Sequence, residues 1–139
     1  MFKLNDKIYK MFQSVVKKFS RIEKEVGTSV GLNGSETKVI TCLATTEELT
    51  HTQLVKLCDT DKAAMSRILN KMEKNELIKS GYSTNNKKTL YTRLTDQGKK
   101  IAFKIKEAFD NCINKYFGKL SQEDNKIFFS LFKKVLKEE

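Results

Sequence analysis

The sequence predicts a mainly α-helical domain carrying one small antiparallel β hairpin, and three observations predict it. Long apolar stripes at helical spacing occupy both ends of the 139 residues. Between them lie short segments that open on capping signatures and close within a few turns. Two short β-branched runs separated by a polar tip follow the last of these segments.

Taken in order, Leu4, Ile8, Met11, Phe12, Val15, Val16, Phe19, Ile22 and Val26 recur at helical spacings and make one stripe that ends at Gly27. Residues 31–34 read as a loop. Asn33 and Glu36 form a capping pair, and Val39, Ile40 and Leu43 give the buried face of a short helix ending near Ala44. Thr50 and Gln53 repeat that signature ahead of Leu54, Val55 and Leu57, in a helix reaching about Cys58. A third short helix begins almost at once, capped by Asp59 or Thr60, with Ala64, Met65, Ile68, Leu69 and Met72 as its stripe. Two short helices joined by so tight a turn are a helix-turn-helix candidate. The runs 77–82 (LIKSGY) and 89–94 (TLYTRL) then flank the polar tip 83–88. In the second run Leu90, Thr92 and Leu94 point one way and Thr89, Tyr91 and Arg93 the other, the alternation of a sheet with one wet face. A helix-turn-helix followed by a hairpin is a winged helix, here spanning 33–98. Thr95 caps the next helix, striped from Ile101 to Phe117 and stopped by Gly118. Ser121 with Asp124 opens the last helix, marked by Ile127, Phe128, Leu131, Phe132, Val135 and Leu136.

The charge balance, 27 Lys and Arg against 17 Asp and Glu, gives a net +10. The excess is spread along the chain, but eight of the basic residues fall within 61–98, the local concentration. Diffuse positive charge draws any polyanion, so the arrangement of motifs has to choose the partner. With 39% hydrophobic and 32% charged residues the chain can build a core. No apolar run approaches the length of a membrane span, and the opening MFKLNDKIYK mixes charge with apolar residues too finely for a signal segment, so no membrane partner and a cytoplasmic location are expected. Three cysteines do not make a disulfide framework and one histidine does not anchor a metal site, so neither metal nor cofactor is expected. A Gly-rich phosphate loop, a paired carboxylate site and an activated nucleophile are all absent from the pattern, which argues against an enzyme.

On the third short helix the apolar stripe leaves Lys62, Ala63, Ser66, Arg67, Asn70 and Lys71 on the opposite face. A DNA major groove admits one helix, where Arg suits guanine O6/N7, Asn suits adenine and Lys suits phosphate or guanine. An ordinary solvated face is the competing explanation, and the winged-helix setting favours DNA. At the hairpin tip Asn86, Lys87 and Lys88 supply a second contact with DNA, unless the lysines merely solubilise an exposed hairpin. His51, just inside a capped helix start, could meet a phosphate, but with no triad around it a packing or surface residue is the favoured reading. Cys42, Cys58 and Cys112 sit beside apolar stripes as buried thiols; Cys58 is the first to test for redox sensing because it abuts the third helix. Tyr9, Phe12, Phe19, Phe103, Phe109, Tyr116 and Phe117 fit either a plain core or an effector cavity.

The stretches LNGSETKVITCLA, LTHTQLVKLCDTDKAAMSRILNKMEKNELIKS and YTRLTDQGKK resemble MarR-type transcriptional regulators, and the likeness covers essentially the whole chain. The strings DKAAMSRILNKME and RLTDQG are the most family-like. The resemblance implies one domain over 1–139, with 33–98 binding DNA and 1–32 and 99–139 forming a dimerisation region. It implies a homodimer whose first and last helices interlock, with two winged helices gripping a pseudo-palindromic double-stranded operator, and a small-molecule, metal or oxidant signal of unknown identity. Leu4, Ile8, Phe12, Phe117, Phe128, Leu131 and Phe132 are the expected dimerisation residues. The nine phenylalanines, Phe2 among them, are all in these end regions, more apolar surface than one small winged helix covers. The chain departs from the family twice. Asn85-Asn86-Lys87-Lys88 stands where members carry an Asp- and Arg-containing wing run, and Ala63-Ala64 stands where small hydroxyl residues are frequent. The expected function is a dimeric, sequence-specific repressor. The alternative is a winged-helix adaptor for protein contacts, which would show apolar anchors on the exposed face of 62–74.

Overall fold

A computed structural model describes residues 3–83 and 85–137, so Phe2 and Thr84 lie outside the described residues. The order is α1 (Lys3–Ser29), α2 (Gly34–Thr45), β1 (Leu49–Thr50), α3 (His51–Leu57), α4 (Lys62–Lys74), β2 (Ile78–Tyr82), β3 (Leu90–Leu94), α5 (Asp96–Phe117) and α6 (Gln122–Leu136). The architecture is a mainly α winged helix-turn-helix with a helix before it and two after it.

The capping signatures at 33–36 and 50–53 form as reciprocal boxes. Asn33 Oδ1 accepts the Glu36 N–H at 2.9 Å while the Glu36 carboxylate takes the Asn33 N–H at 3.3 Å. Thr50 and Gln53 do the same, with bonds of 3.2 and 2.8 Å. Thr95 and Ser121 cap α5 and α6 by accepting the Gly98 and Asp124 N–H groups, each at 3.0 Å.

Two boundaries differ from the sequence expectation. Helix α1 runs through Gly27 to Ser29 because Gly27 is a packing glycine: a Cβ there would overlap Thr37 Oγ1 of α2. The residue that ends α1 is Gly31, at φ 77°. Its N–H donates to Thr28 O at 3.1 Å and the Leu32 N–H to Gly27 O at 2.8 Å, the paired bonds of a left-handed helix terminus. The cap of α4 is Asp61, whose Oδ1 accepts the Ala64 N–H at 2.8 Å, and not Asp59 or Thr60. Those two residues are used up in closing α3: Asp59 takes φ 50°, and the Asp59 and Thr60 N–H groups bond Lys56 O and Val55 O. The same device closes α4 at Glu76, φ 60°.

The hairpin pairs β2 with β3, Ile78 opposite Leu94 and Tyr82 opposite Leu90. A third strand absent from the sequence expectation, β1, joins the other edge of β3 with Leu49 opposite Thr92, giving the order β1-β3-β2. Glu48 holds it there by taking both Nε (2.7 Å) and Nη2 of Arg93. The core lies between α2, α3, α4 and the sheet. Val39, Ile40, Leu54, Met65 and Met72 are fully buried in it, and Ile22, Val26 and Ile105 bring α1 and α5 against it.

The N-terminal part of α1 and all of α6 stay outside that core. Leu4, Ile8, Phe12, Val16, Phe128 and Leu131 are exposed, and no described residue of α6 is buried. An aromatic ladder ties the ends together: Phe12 stacks on Phe132 (6.4 Å between centroids), Phe132 on Phe128 (5.7 Å), and Phe128 tilts against Phe117 (5.5 Å). No described helix is long and apolar enough to cross a membrane, and no metal-holding group of His, Cys, Asp and Glu occurs among the described residues.

Candidate nucleic-acid interface

Helix α4 owes its orientation to its stripe. Met65 and Met72 are fully buried and Ile68 and Leu69 half-buried against the core. At 3.6 residues per turn this turns Lys62, Ala63, Ser66, Arg67, Asn70 and Lys71 outward, and all six are exposed. Sequence spacing therefore located this surface residue by residue. It bears two lysines, an arginine and two polar side chains, and no apolar anchor larger than alanine.

Two of the six are engaged by neighbouring elements. Lys71 Nζ lies 3.4 Å from Glu36 Oε1, with the lysine 62% exposed and the glutamate 3%. The buried carboxylate thereby serves three purposes: it completes the cap of α2, ties α2 to α4, and offsets part of the charge on Lys71. Ser66 Oγ meets His51 Nε2, the first residue of α3, at 3.2 Å. Spacing alone could not reveal either contact, because both partners come from other helices. Lys62, Arg67 and Asn70 form no side-chain bond among the described residues.

At the wing tip the three singled-out residues are exposed but have different roles. Asn86 is spent within the turn: its Nδ2 donates to Thr89 Oγ1 at 2.9 Å and its Oδ1 accepts the Lys88 N–H at 3.1 Å. It shapes the tip that holds Lys87 and Lys88 out into solvent. The wing's departure from the family pattern thus has a local structural use.

The cysteines are free. Cys42 and Cys112 are half-buried and Cys58 is buried. Burial above all, with Cys42 beside it, pushes the Cys58 thiol up to about 12, so it carries no thiolate near neutrality. A cavity of about 1060 Å³ opens between α2, the base of the wing and α5. Its lining mixes the apolar Ile40, Leu43 and Phe109 with the basic Lys79, Arg93, Lys99 and Lys106 and the acidic Glu47. Of the aromatic residues weighed for an effector cavity, Phe103 and Phe109 line this one. Phe12 and Phe117 belong to the aromatic ladder instead.

Known proteins share this fold. A MarR variant from Escherichia coli, solved in complex with operator DNA, superposes with a TM-score of 0.76 at 19% identity, covering 99% of both chains. A MarR family transcription regulator of known structure superposes at 0.80 with 16% identity, over 97% of this chain and 91% of its own. The HTH-type transcriptional regulator YhjH of Bacillus subtilis is 28% identical over 119 residues, 86% of this chain. The chain spans 61% of that relative's length. Residues 32–90, from the end of the first loop through both helices of the helix-turn-helix to the start of β3, match the MarR family model. That match lies within a fold shared along nearly the whole chain, so residues 32–90 are similar in sequence to the MarR family and the chain has the fold of MarR regulators.

Proposed function

We propose that this protein is a DNA-binding transcriptional regulator, acting as a homodimer that represses by occupying a pseudo-palindromic operator. The observation that carries the proposal is the outward face of α4, where Lys62, Ser66, Arg67 and Asn70 stand exposed on a helix whose other face is buried in a winged helix. Such side chains suit base edges and phosphates, and the helix is free to enter a major groove. An adaptor for protein contacts is disfavoured because the same face lacks apolar anchors. Within the interface Arg67 and Asn70 read bases. Lys62, Lys87 and Lys88 neutralise phosphates or enter the minor groove, and Asn86 sets the tip. Lys71, shared with Glu36, contributes less than the other lysines.

The exposed faces of α1 and α6 support the dimer: Leu4, Ile8, Phe12, Phe128, Leu131 and Phe132 lie where a second copy would cover them, with Phe117 bracing them from α5. In this arrangement 33–98 binds DNA and 1–32 with 99–139 forms the dimerisation region. Two-fold symmetry sets half-site centres about 10 bp apart. The cavity beside α5, lined by apolar side chains and more basic than acidic ones, offers a place for the unidentified signal to act, between the two regions.

The test is to select genomic fragments with the purified protein, then measure wild type, Arg67→Ala and Asn70→Ala on the selected duplex and on scrambled DNA. Each substitution is expected to cost about 1–3 kcal/mol on the selected duplex and little on scrambled DNA. Equal binding of all three proteins to both DNAs would give the adaptor the lead.

A further inference from the structure

Ser66 sits at the centre of the outward face of α4, and a serine hydroxyl is a poor reader by itself. It has one proton and two lone pairs, and free rotation lets it satisfy either a donor or an acceptor on a base edge. In this protein the hydroxyl is not free. His51 Nε2 meets it at 3.2 Å, and among the described residues this is the one side-chain hydrogen bond that joins the two helices of the helix-turn-helix.

Both ends of that bond are held by local structure. His51 lies between Thr50 and Gln53, whose reciprocal capping bonds of 3.2 and 2.8 Å fix the first turn of α3. Ser66 lies one turn into α4, whose start is pinned by Asp61 on the Ala64 N–H. The imidazole is half-buried and the serine exposed, so the bond has one end in the protein and the other at the surface that faces DNA. If the ring nitrogen accepts the hydroxyl proton, Ser66 offers only lone pairs and selects base donors, adenine N6 or cytosine N4. If the ring N–H donates, the oxygen is anchored and its own proton is aimed away from α3, toward base acceptors such as guanine O6 or N7. Either arrangement ends the free rotation that makes serine permissive.

We infer that His51 is a positioning residue for sequence readout: by holding the Ser66 hydroxyl it makes Ser66 discriminate at one base pair in each half-site. The inference rests on the proposal that α4 enters the major groove.

The experiment uses the full chain and four versions of a selected duplex that differ at the base pair nearest Ser66, at fixed salt and pH. Wild type is expected to spread its affinity over the four duplexes by about tenfold or more, the discrimination of one good base contact. Ser66→Ala and His51→Ala should each compress that spread to within about threefold, and the double variant should compress it no further. His51→Gln, whose amide reaches a hydroxyl with either terminal atom, should keep most of the spread. Should the alanine variant melt early, His51→Gln against His51→Leu is the matched pair, with and without a hydrogen bond at similar bulk. An unchanged spread in His51→Ala or His51→Leu overturns the inference. So does equal weakening on all four duplexes with a shallower salt dependence, which would mark His51 as a phosphate contact. If Arg67→Ala and Asn70→Ala lose selectivity while Ser66→Ala does not, the His51 inference fails alone. If all three alanine variants bind selected and scrambled DNA as wild type does, the groove reading fails with it.

Discussion

In the winged helix the apolar faces meet one another. Val39, Ile40, Leu54, Met65 and Met72 retain no accessible surface, and no buried side-chain polar atom among the described residues lacks a partner. In the helical ends the faces meet only partly: Leu4 and Phe129 are each 69% exposed, and α6 buries none of its described residues. Both regions have well-formed helices with good caps, so local helix formation does not separate them. What separates them is where the partner surface comes from. The winged helix supplies most of its own from within 33–98, with Ile22, Val26 and Ile105 completing it from α1 and α5, whereas large apolar side chains of α1 and α6 stay exposed, the surface that the proposed dimer would cover.

The largest effect should come from breaking the closed region. Leu54→Ala removes a fully buried side chain at the junction of α3 with the core and is expected to cost about 2–5 kcal/mol in denaturant unfolding. Leu131→Ala, on exposed α6, should cost far less at low protein concentration. Equal, concentration-independent losses would erase the distinction between the regions.

The thiols report the same contrast by chemistry. With its value raised from 9.0 to about 12 by burial, Cys58 should alkylate about a thousandfold more slowly at pH 8 than in denaturant. The sign for stability follows: the folded state holds this proton more tightly than the unfolded state. The contribution is therefore complete below about pH 9 and is lost as pH rises toward 12. Rapid Cys58 labelling of the native protein at pH 8, read by mass spectrometry of its peptide, would show the core to be open there.

Breaking the other region should act through association. Phe128→Asp places a charge in the aromatic ladder between Phe117 and Phe132. Sedimentation should show dimer dissociation at least tenfold easier, about 1.4 kcal/mol, with operator binding weakened in step. A 16 kDa species alone in the wild type at micromolar concentration would refute the dimer.

The smallest effect sharpens the comparison at helix ends. Glycine occupies the left-handed position that closes α1, but Glu76 occupies the equivalent position after α4, at φ 60°. Glu76→Gly should therefore stabilise by about 0.5–1 kcal/mol in thermal unfolding, the relief of left-handed strain less the extra flexibility of glycine. Destabilisation instead would mean that the carboxylate has a role there.

The sequence by itself determined the six helices, the hairpin and the outward face of α4. Helix starts are written locally, in Asn33 with Glu36, Thr50 with Gln53, Thr95 and Ser121, and the burial of Met65 and Met72 follows from 3.6-residue spacing that needs no knowledge of the rest of the chain. Tertiary structure alone decided which glycine ends α1, because Gly27 is demanded by the close approach of Thr37 and only Gly31 by the backbone turn. It also decided that the two residues Leu49 and Thr50 form a strand, since so short a segment has no periodicity and is recruited by β3 and by the Arg93–Glu48 pair. The contacts of Lys71 with Glu36 and of Ser66 with His51 join residues 35 and 15 positions apart. Spacing along one helix fixes which side chains face outward, but which of them are already held depends on what the neighbouring helices bring within hydrogen-bond reach.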